Sequence, residues 1–212
     1  MAQHTHDRKE YNKKQLTESE AGMDPIVLFG EWLSDAQAGG VAEPLAMTLA
    51  TVGSSTISCR VVLLRAFDEH GFVFYTNYNS RKSMDLERDP RAALNFFWPE
   101  LERQVRIEGK VEQVSDAESD AYFASRPLES RIGAWASDQS RVVDDREQME
   151  QRYARWQERF AEGDVPRPLH WGGYRVRAQR IEFWQGRGSR LHDRLAYEHF
   201  ADGSWVRIRL QP

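Results

Sequence analysis

The chain has 212 residues, 40% hydrophobic and 29% charged, with a formal net charge of −4. This is an ordinary globular composition, able to bury roughly 70% of the unfolded surface, and it argues against disorder and against a whole-protein basic field for nucleic acid. Cys59 is the single cysteine, so no intrachain disulfide can form and a thiolate metal cluster is not expected.

The polar N-terminus, Met1 to Lys14, lacks the apolar stretch of a secretory signal, and no apolar run reaches the ~18 residues of a membrane-spanning helix, so a cytoplasmic location is the expectation. Residues 1–20 contain almost nothing to bury and read as a mobile arm, followed by one domain over 21–212. Asp24-Pro25 opens a helix, with Asp as N-cap, Pro in the first turn, and Ile26, Phe29 and Leu33 as its apolar stripe. Strands follow at Leu45–Val52, Ser58–Phe67 and Phe72–Asn77, the last two joined by a turn at Asp68-Glu69-His70-Gly71. Ser80–Arg88 reads as a short helix stopped by Asp89-Pro90. Ala92–Trp98 and Arg103–Val114 return to strand, the second alternating Val105, Ile107, Gly109 and Val111 with polar residues. Asp116 to about Phe160 is helical in pieces, broken at Arg126-Pro127. Tyr174–Gln185, Arg190–Phe200 and Trp205–Leu210 close the chain as strands, with a turn at Ala201-Asp202-Gly203. Helices and strands do not alternate as in a doubly wound sheet, so the expected class is α+β with an antiparallel, barrel-like sheet.

Four groups of residues carry chemistry. Ser80 caps a helix whose first turn holds Arg81 and Lys82, cations placed where the helix dipole disfavours them unless an anion joins them. The segment is either a solvated basic turn or a phosphate cradle. Arg190, His192 and Arg194 share a face if their segment is a strand, which is either a surface stripe partly neutralised by nearby acids or a site for a polyanionic ligand. Arg60 and Arg65 bracket the apolar run Val61 to Leu64, which predicts a strand buried on both faces, with the two arginines on opposite faces and either in end-of-strand salt bridges or meeting different ligand anions. Trp184, Gln104, Gln139 and Ser140 offer the flat apolar contact and amide edge that a flavin requires. By themselves these residues point to binding of phosphorylated small molecules and no further.

The same stretches resemble the pyridoxamine/pyridoxine 5′-phosphate oxidase family: Arg60-Val-Val-Leu-Leu, Phe74-Tyr-Thr-Asn, Ser80-Arg-Lys, Ser125-Arg-Pro, Ile132-Gly-Ala-Trp, Trp171-Gly-Gly, and Ile181-Glu-Phe-Trp-Gln-Gly through Arg190-Leu-His-Asp-Arg. The resemblance runs from about Tyr11 to Pro212. It implies an FMN-binding split β-barrel with peripheral helices, a homodimer with FMN at the interface, and oxidation of pyridoxamine or pyridoxine 5′-phosphate to pyridoxal 5′-phosphate with O2 as acceptor and hydrogen peroxide as product. Carried across by motif, FMN would meet Arg60, Tyr75, Thr76, Arg81, Lys82, Gln104, Gln139, Ser140, Trp184 and Arg194. The vitamer would meet Arg65, Tyr122, Arg126 and Ser130 at its phosphate, Arg190 and His192 at its ring, and Arg8 and Tyr11 from the arm. Arg190 and His192 are the implied catalytic pair. Arg65 stands where the family usually has Lys. Phenazine-pathway oxidases of the same superfamily are similar too, but fit Ser80-Arg-Lys and Ser125-Arg-Pro less well. A split-barrel flavin reductase and a non-catalytic FMN or pyridoxal-phosphate binding protein are the rival expectations.

Overall fold

A computed structural model describes residues 10–212 apart from residue 162. Helix α1 (Glu18–Ala21) is a single turn, closed by a capping box in which Thr17 accepts from the Glu20 N–H and Glu20 accepts from the Thr17 N–H. Helix α2 (Pro25–Ala38) starts as the sequence dictates: Asp24 Oδ1 accepts from the N–H groups of Ile26 and Val27 at 2.8 and 3.3 Å. The strands are β1 (Ala46–Val52), β2 (Ile57–Leu63), β3 (Ala66–Asp68), β4 (Gly71–Asn77), β5 (Arg91–Trp98), β6 (Arg103–Gln113), β7 (Trp171–Gln185), β8 (Asp193–His199) and β9 (Trp205–Arg209). Helices α3 (Arg81–Arg88), α4 (Asp116–Ser125), α5 (Leu128–Ala136) and α6 (Arg146–Arg159) complete the chain. The strands pair in the order β2-β1-β5-β6-β7-β4-β3, with β8 on β7 and β9 on β8. The class is α+β, as expected. Among the described residues no helix is long and apolar enough to cross a membrane.

The described chain divides into two compact units. The first holds residues 10–47, 94–108 and 178–212. Its core is aromatic: Phe29 meets Phe96 edge-on at 5.1 Å, Trp32 meets Phe183 at 5.2 Å, and Phe183 meets Tyr197 at 5.8 Å. The buried Tyr197 hydroxyl donates to the carbonyls of Ala21 and Gly22, which seats α1. The second unit holds residues 48–93 and 109–177. Phe123, Ile132, Ala134, Val165 and Trp171 form a buried cluster there, with Tyr75, Tyr122, Trp135 and Trp156 packed on it. The β3–β4 turn follows the sequence reading. Asp68 Oδ1 accepts from the N–H groups of His70 and Gly71, and Gly71 takes φ 135°, where a Cβ would lie 2.1 Å from the Val176 carbonyl oxygen.

Three expectations are corrected. The strand expected over Ser58–Phe67 ends at Leu63 and is not buried on both faces: Ile57 and Val61 are 76% and 66% exposed, because β2 is an outer strand of the pairing order. The strand expected from Arg190 begins only at Asp193; Gly188–Arg190 is a 3₁₀ turn in which Ser189 and Arg190 take φ of 54° and 62°. Arg190, His192 and Arg194 therefore do not share a strand face. The arm is not free over all of residues 1–20, since Leu16 is buried and the N–H groups of Asn12 and Lys13 both donate to Glu102 Oε2, at 3.0 and 3.1 Å.

Candidate active site

The second unit contains a cavity of about 840 Å³. At one part of its lining, β4 and the first turn of α3 converge. Ser80 stands at the N-cap position, but its hydroxyl does not cap the helix: it pairs with the Ser83 hydroxyl and accepts from Lys82 Nζ at 3.1 Å. Lys82 is only 8% exposed. Its ammonium donates to Thr76 Oγ1 at 2.9 Å and to Gln139 Oε1 at 2.9 Å. These three acceptors are all neutral. Burial, followed by the nearby charge of Arg60, brings the Lys82 pKa down to about 8. A buried ammonium held by neutral oxygens at a helix N-terminus is short of negative charge, which fits a phosphate and not a basic surface turn. The exposed Arg81 lines the same cavity, with Ser140, whose backbone has φ 72°.

Arg60 reaches this region from β2. Its Nη1 donates to Thr51 Oγ1 at 2.8 Å and its Nη2 to Ser58 Oγ at 2.6 Å. Both hydroxyls donate onward to Asp85 Oδ2, at 2.8 and 3.2 Å, and Asp85 lies 3.8 Å from Arg60 Nη2. Each hydroxyl has one proton, which it spends on Asp85, so lone pairs face the guanidinium and fix its plane. Asp85, Thr51 and Ser58 were not marked by the sequence reading. The one signal was the position of Asp85 three residues after Lys82, on the same face of α3.

A second cationic group lines the cavity with Arg65, Tyr122, Arg126 and Ser130. Tyr75 stacks on Tyr122 at 3.9 Å and on Trp171 at 5.5 Å. The Arg126 guanidinium lies over Trp171 at 4.6 Å, and its buried Nη1 has no hydrogen-bond partner. Burial and the Arg65 charge hold its pKa down. The Arg65 guanidinium sits 6.0 Å from the Tyr122 ring. Because β2 stops at Leu63, strand alternation does not separate Arg60 from Arg65, and both line this cavity. The opposite-face expectation is thereby corrected.

The first unit carries the remaining predicted residues. Trp184 packs against His192 with ring centroids 4.7 Å apart, and Tyr11 meets both rings edge-on, at 5.6 and 5.8 Å. A Cβ on Gly186 would fall 2.7 Å from the Tyr11 ring, so Tyr11 rests directly on that backbone. His192 Nδ1 accepts from the Arg187 N–H at 3.1 Å, and burial, then Arg190, lowers its pKa. Arg190 is exposed. Arg194 pairs with Trp184 across β7 and β8, and its Nε and Nη2 both lie 2.9 Å from Oε1 of the buried Glu182. Its guanidinium is thus already held by an acid. Gln104 is half-buried on β6. Arg8 lies outside the described residues. The arm is tied beside this cluster: the Leu16 N–H donates to Asp193 Oδ2 at 3.1 Å.

Two family models match the chain, one described as pyridoxamine 5′-phosphate oxidase over residues 33–160 and one as the pyridoxine 5′-phosphate oxidase C-terminal dimerisation region over residues 171–212. The chain belongs to the pyridoxamine 5′-phosphate oxidase family. It is 56% identical over 206 residues to a pyridoxine/pyridoxamine 5′-phosphate oxidase of Cupriavidus pinatubonensis, covering 97% of each chain. A protein of the same name from Pseudomonas paraeruginosa is 55% identical over 208 residues, covering 97% of this chain and 96% of that one. Among solved structures, PhzG of Burkholderia lata in complex with tetrahydrophenazine-1-carboxylic acid matches with TM-score 0.86 and 32% identity, over 92% of this chain and 95% of that one. A pyridoxamine 5′-phosphate oxidase-related, FMN-binding protein of Nostoc punctiforme matches with TM-score 0.70 and 16% identity, over 87% and 95%, and shows the shared split-barrel fold alone.

Proposed function

We propose that this chain is a pyridoxal 5′-phosphate synthase: an FMN-dependent oxidase that converts pyridoxamine or pyridoxine 5′-phosphate to pyridoxal 5′-phosphate, reduces O2 to hydrogen peroxide, and works as a cytoplasmic homodimer. The observation that carries the reading is the phosphate-grade lining of one cavity: Lys82, buried among neutral acceptors, and Arg126, whose buried Nη1 has no hydrogen-bond partner. Relatives of this name at 56% identity favour the vitamer over the substrate of PhzG at 32%. The exposed apolar face of β2, formed by Ile57, Val61 and Leu63, supports a second subunit, because a lone chain gains nothing by presenting it to water.

The residues present fit FMN. Lys82, Arg81 and Arg60 would hold its phosphate, with Thr76, Gln139 and Ser140 beside them, and Trp184 would supply flat apolar contact. When bound, FMN supplies the two-electron acceptor chemistry that no side chain here offers. The protein's share is positioning. Arg65, Arg126, Tyr122 and Ser130 would anchor the vitamer phosphate, and the Tyr75–Tyr122–Trp171 stack keeps Arg126 desolvated, so that its charge acts at full strength. Anchoring both phosphates converts encounter into near-attack geometry. Arg190 and His192 would orient the vitamer ring, with Tyr11 closing over them. In the amine reaction the substrate loses two electrons and two protons, O2 takes both, and water releases ammonia.

The test is an absorbance spectrum of the purified protein followed by anaerobic addition of pyridoxamine phosphate. Flavin bands that bleach with the vitamer and return with oxygen and peroxide support the reading. Bleaching by NADPH alone assigns a reductase, and bound ligand without peroxide assigns a binding protein.

A further inference from the structure

Glu102 closes the turn between β5 and β6 in left-handed backbone, φ 57°, and is only 2% exposed. That conformation is disfavoured for any residue with a Cβ and free for glycine, so the surroundings must hold a glutamate there. They do so through its carbonyl oxygen, which accepts from the Gly186 N–H at 2.8 Å and from Gln185 Nε2 at 3.2 Å. Gln185 is itself fully buried and accepts from Arg103 Nε at 2.9 Å. The Arg103 guanidinium lies over the Trp32 ring at 4.2 Å and donates to Asp35 Oδ2 at 2.7 Å.

The backbone so fixed aims the Glu102 carboxylate at the arm. The successive N–H groups of Asn12 and Lys13 converge on its Oε2, at 3.0 and 3.1 Å. Consecutive amides around one oxygen form the concavity in which proteins bind anions, and here the anion is a side chain of the same chain. Tyr11, the residue just before this nest, rests on Gly186 and meets the Trp184 and His192 rings edge-on. Glu102 thus serves both sides of that contact: its carbonyl holds the Gly186 backbone, and its carboxylate holds the chain that carries Tyr11. A glycine would make the turn without strain; what glycine lacks is the carboxylate.

We infer that Glu102 is a positioning residue of the vitamer site, acting through Tyr11 and resting on the vitamer-oxidase reading above. It touches no reacting atom. Its charge-assisted bonds set the register of the arm so that the Tyr11 ring stands over Trp184 and His192, and ordering of this segment is not left to the vitamer. A separate tether lies further along, where the Leu16 N–H donates to Asp193 Oδ2 and the Leu16 carbonyl accepts from Arg209 Nη2 at 2.9 Å. Loss of the Glu102 carboxylate therefore loosens Tyr11 to Lys13 and leaves the chain from Leu16 onward in place.

The test compares variants of the full-length holoenzyme. Glu102→Gly suits the turn and deletes the carboxylate, so its melting temperature should hold. Glu102→Gln keeps an acceptor oxygen without the charge. Amide hydrogen exchange at Asn12 and Lys13 should be at least about 10-fold faster in Glu102→Gly, with exchange at Leu16 unchanged. KM for pyridoxamine phosphate should rise about 30-fold in Glu102→Gly and about 5-fold in Glu102→Gln, with kcat changed less than about 3-fold. Tyr11→Ala should raise KM in the wild type, yet add less than about 2-fold to Glu102→Gly, because the ring it removes has already left the site. Unchanged exchange at Asn12 and Lys13, or losses that multiply in the double variant, overturn the assignment. A lower melting temperature with KM unchanged makes Glu102 a purely structural residue and overturns it too. If Glu102→Gly fails to fold, Glu102→Gln decides by the same exchange and KM readings. A yellow protein that oxidises neither vitamer but shows the faster exchange defeats the vitamer reading and leaves the Glu102 clamp standing.

Discussion

Lys82 Nζ and Gln139 Oε1 lie 2.9 Å apart, joining the first turn of α3 to the loop after α5 across 57 residues of sequence. The contact gives a buried ammonium a neutral amide oxygen and leaves its charge uncompensated. The cradle is therefore preorganised and short of an anion, and its behaviour on mutation and on change of pH follows from that.

Replacing both cations, Arg81→Ala with Lys82→Ala, should yield protein that purifies with little or no flavin. Hydrogen bonds to charged groups contribute about 1.5–3 kcal/mol each, so FMN affinity should fall by at least about 100-fold for the pair. Flavin content by absorbance and Kd by fluorescence quenching check this. A double variant that stays fully yellow removes the cradle from the FMN site.

The pKa of Lys82 falls from the ordinary 10.5 to about 8 through burial and then Arg60. Below about pH 8 both folded and unfolded states carry the charge, and the burial penalty is present in full. Between those two values the unfolded chain binds more protons, so the flavin-free protein should gain stability as pH rises through that window. Urea unfolding at pH 7.5 and 9.5 measures it. The gain should be absent in Lys82→Met; an equal gain in that variant assigns the effect elsewhere.

Arg126→Met removes a guanidinium whose Nη1 is buried without a partner and keeps an apolar body against Trp171. Thermal stability should hold or rise, because no satisfied hydrogen bond is lost there. KM for pyridoxamine phosphate should rise at least about 10-fold, by the loss of one charge-assisted contact, while FMN stays bound.

Arg190→Ala should lower kcat/KM by about 100-fold, the scale expected for losing one preorganised electrostatic group beside the reacting centre, with FMN content unchanged. Steady-state kinetics on the yellow variant decide this, and full activity would take Arg190 out of the site.

Gly186→Ala introduces a Cβ at 2.7 Å from Tyr11 Cγ and 2.9 Å from Tyr11 Cβ, so the arm segment that carries Tyr11 has to shift. The expected signature is a raised KM for the vitamer with unchanged melting temperature and flavin content. A large fall in melting temperature would show instead that Gly186 is needed by the backbone.

Local physical chemistry made much of the molecule legible. Asp24-Pro25 sets the start of α2, Asp68 and Gly71 shape the β3–β4 turn, and Val105 and Ile107 point inward from β6, because capping, turn and period-two patterns act over a few residues. Lys82 was legible as a misplaced cation for the same reason. The turn that keeps Arg190, His192 and Arg194 off a common strand face was not: left-handed backbone at Ser189 and Arg190 leaves no mark in residues that are not glycine. Nor was the role of Asp85, which lies 25 residues from Arg60 and reaches it through two hydroxyls.

By itself the sequence determined the composition class, most element positions, the family and the residue types suited to phosphate, since these depend on side-chain chemistry and short-range periodicity. Only the tertiary structure decided which cation is desolvated and which is already paired with an acid. Charge and protonation answer to burial and to neighbours brought in from distant parts of the chain, and no local pattern encodes those.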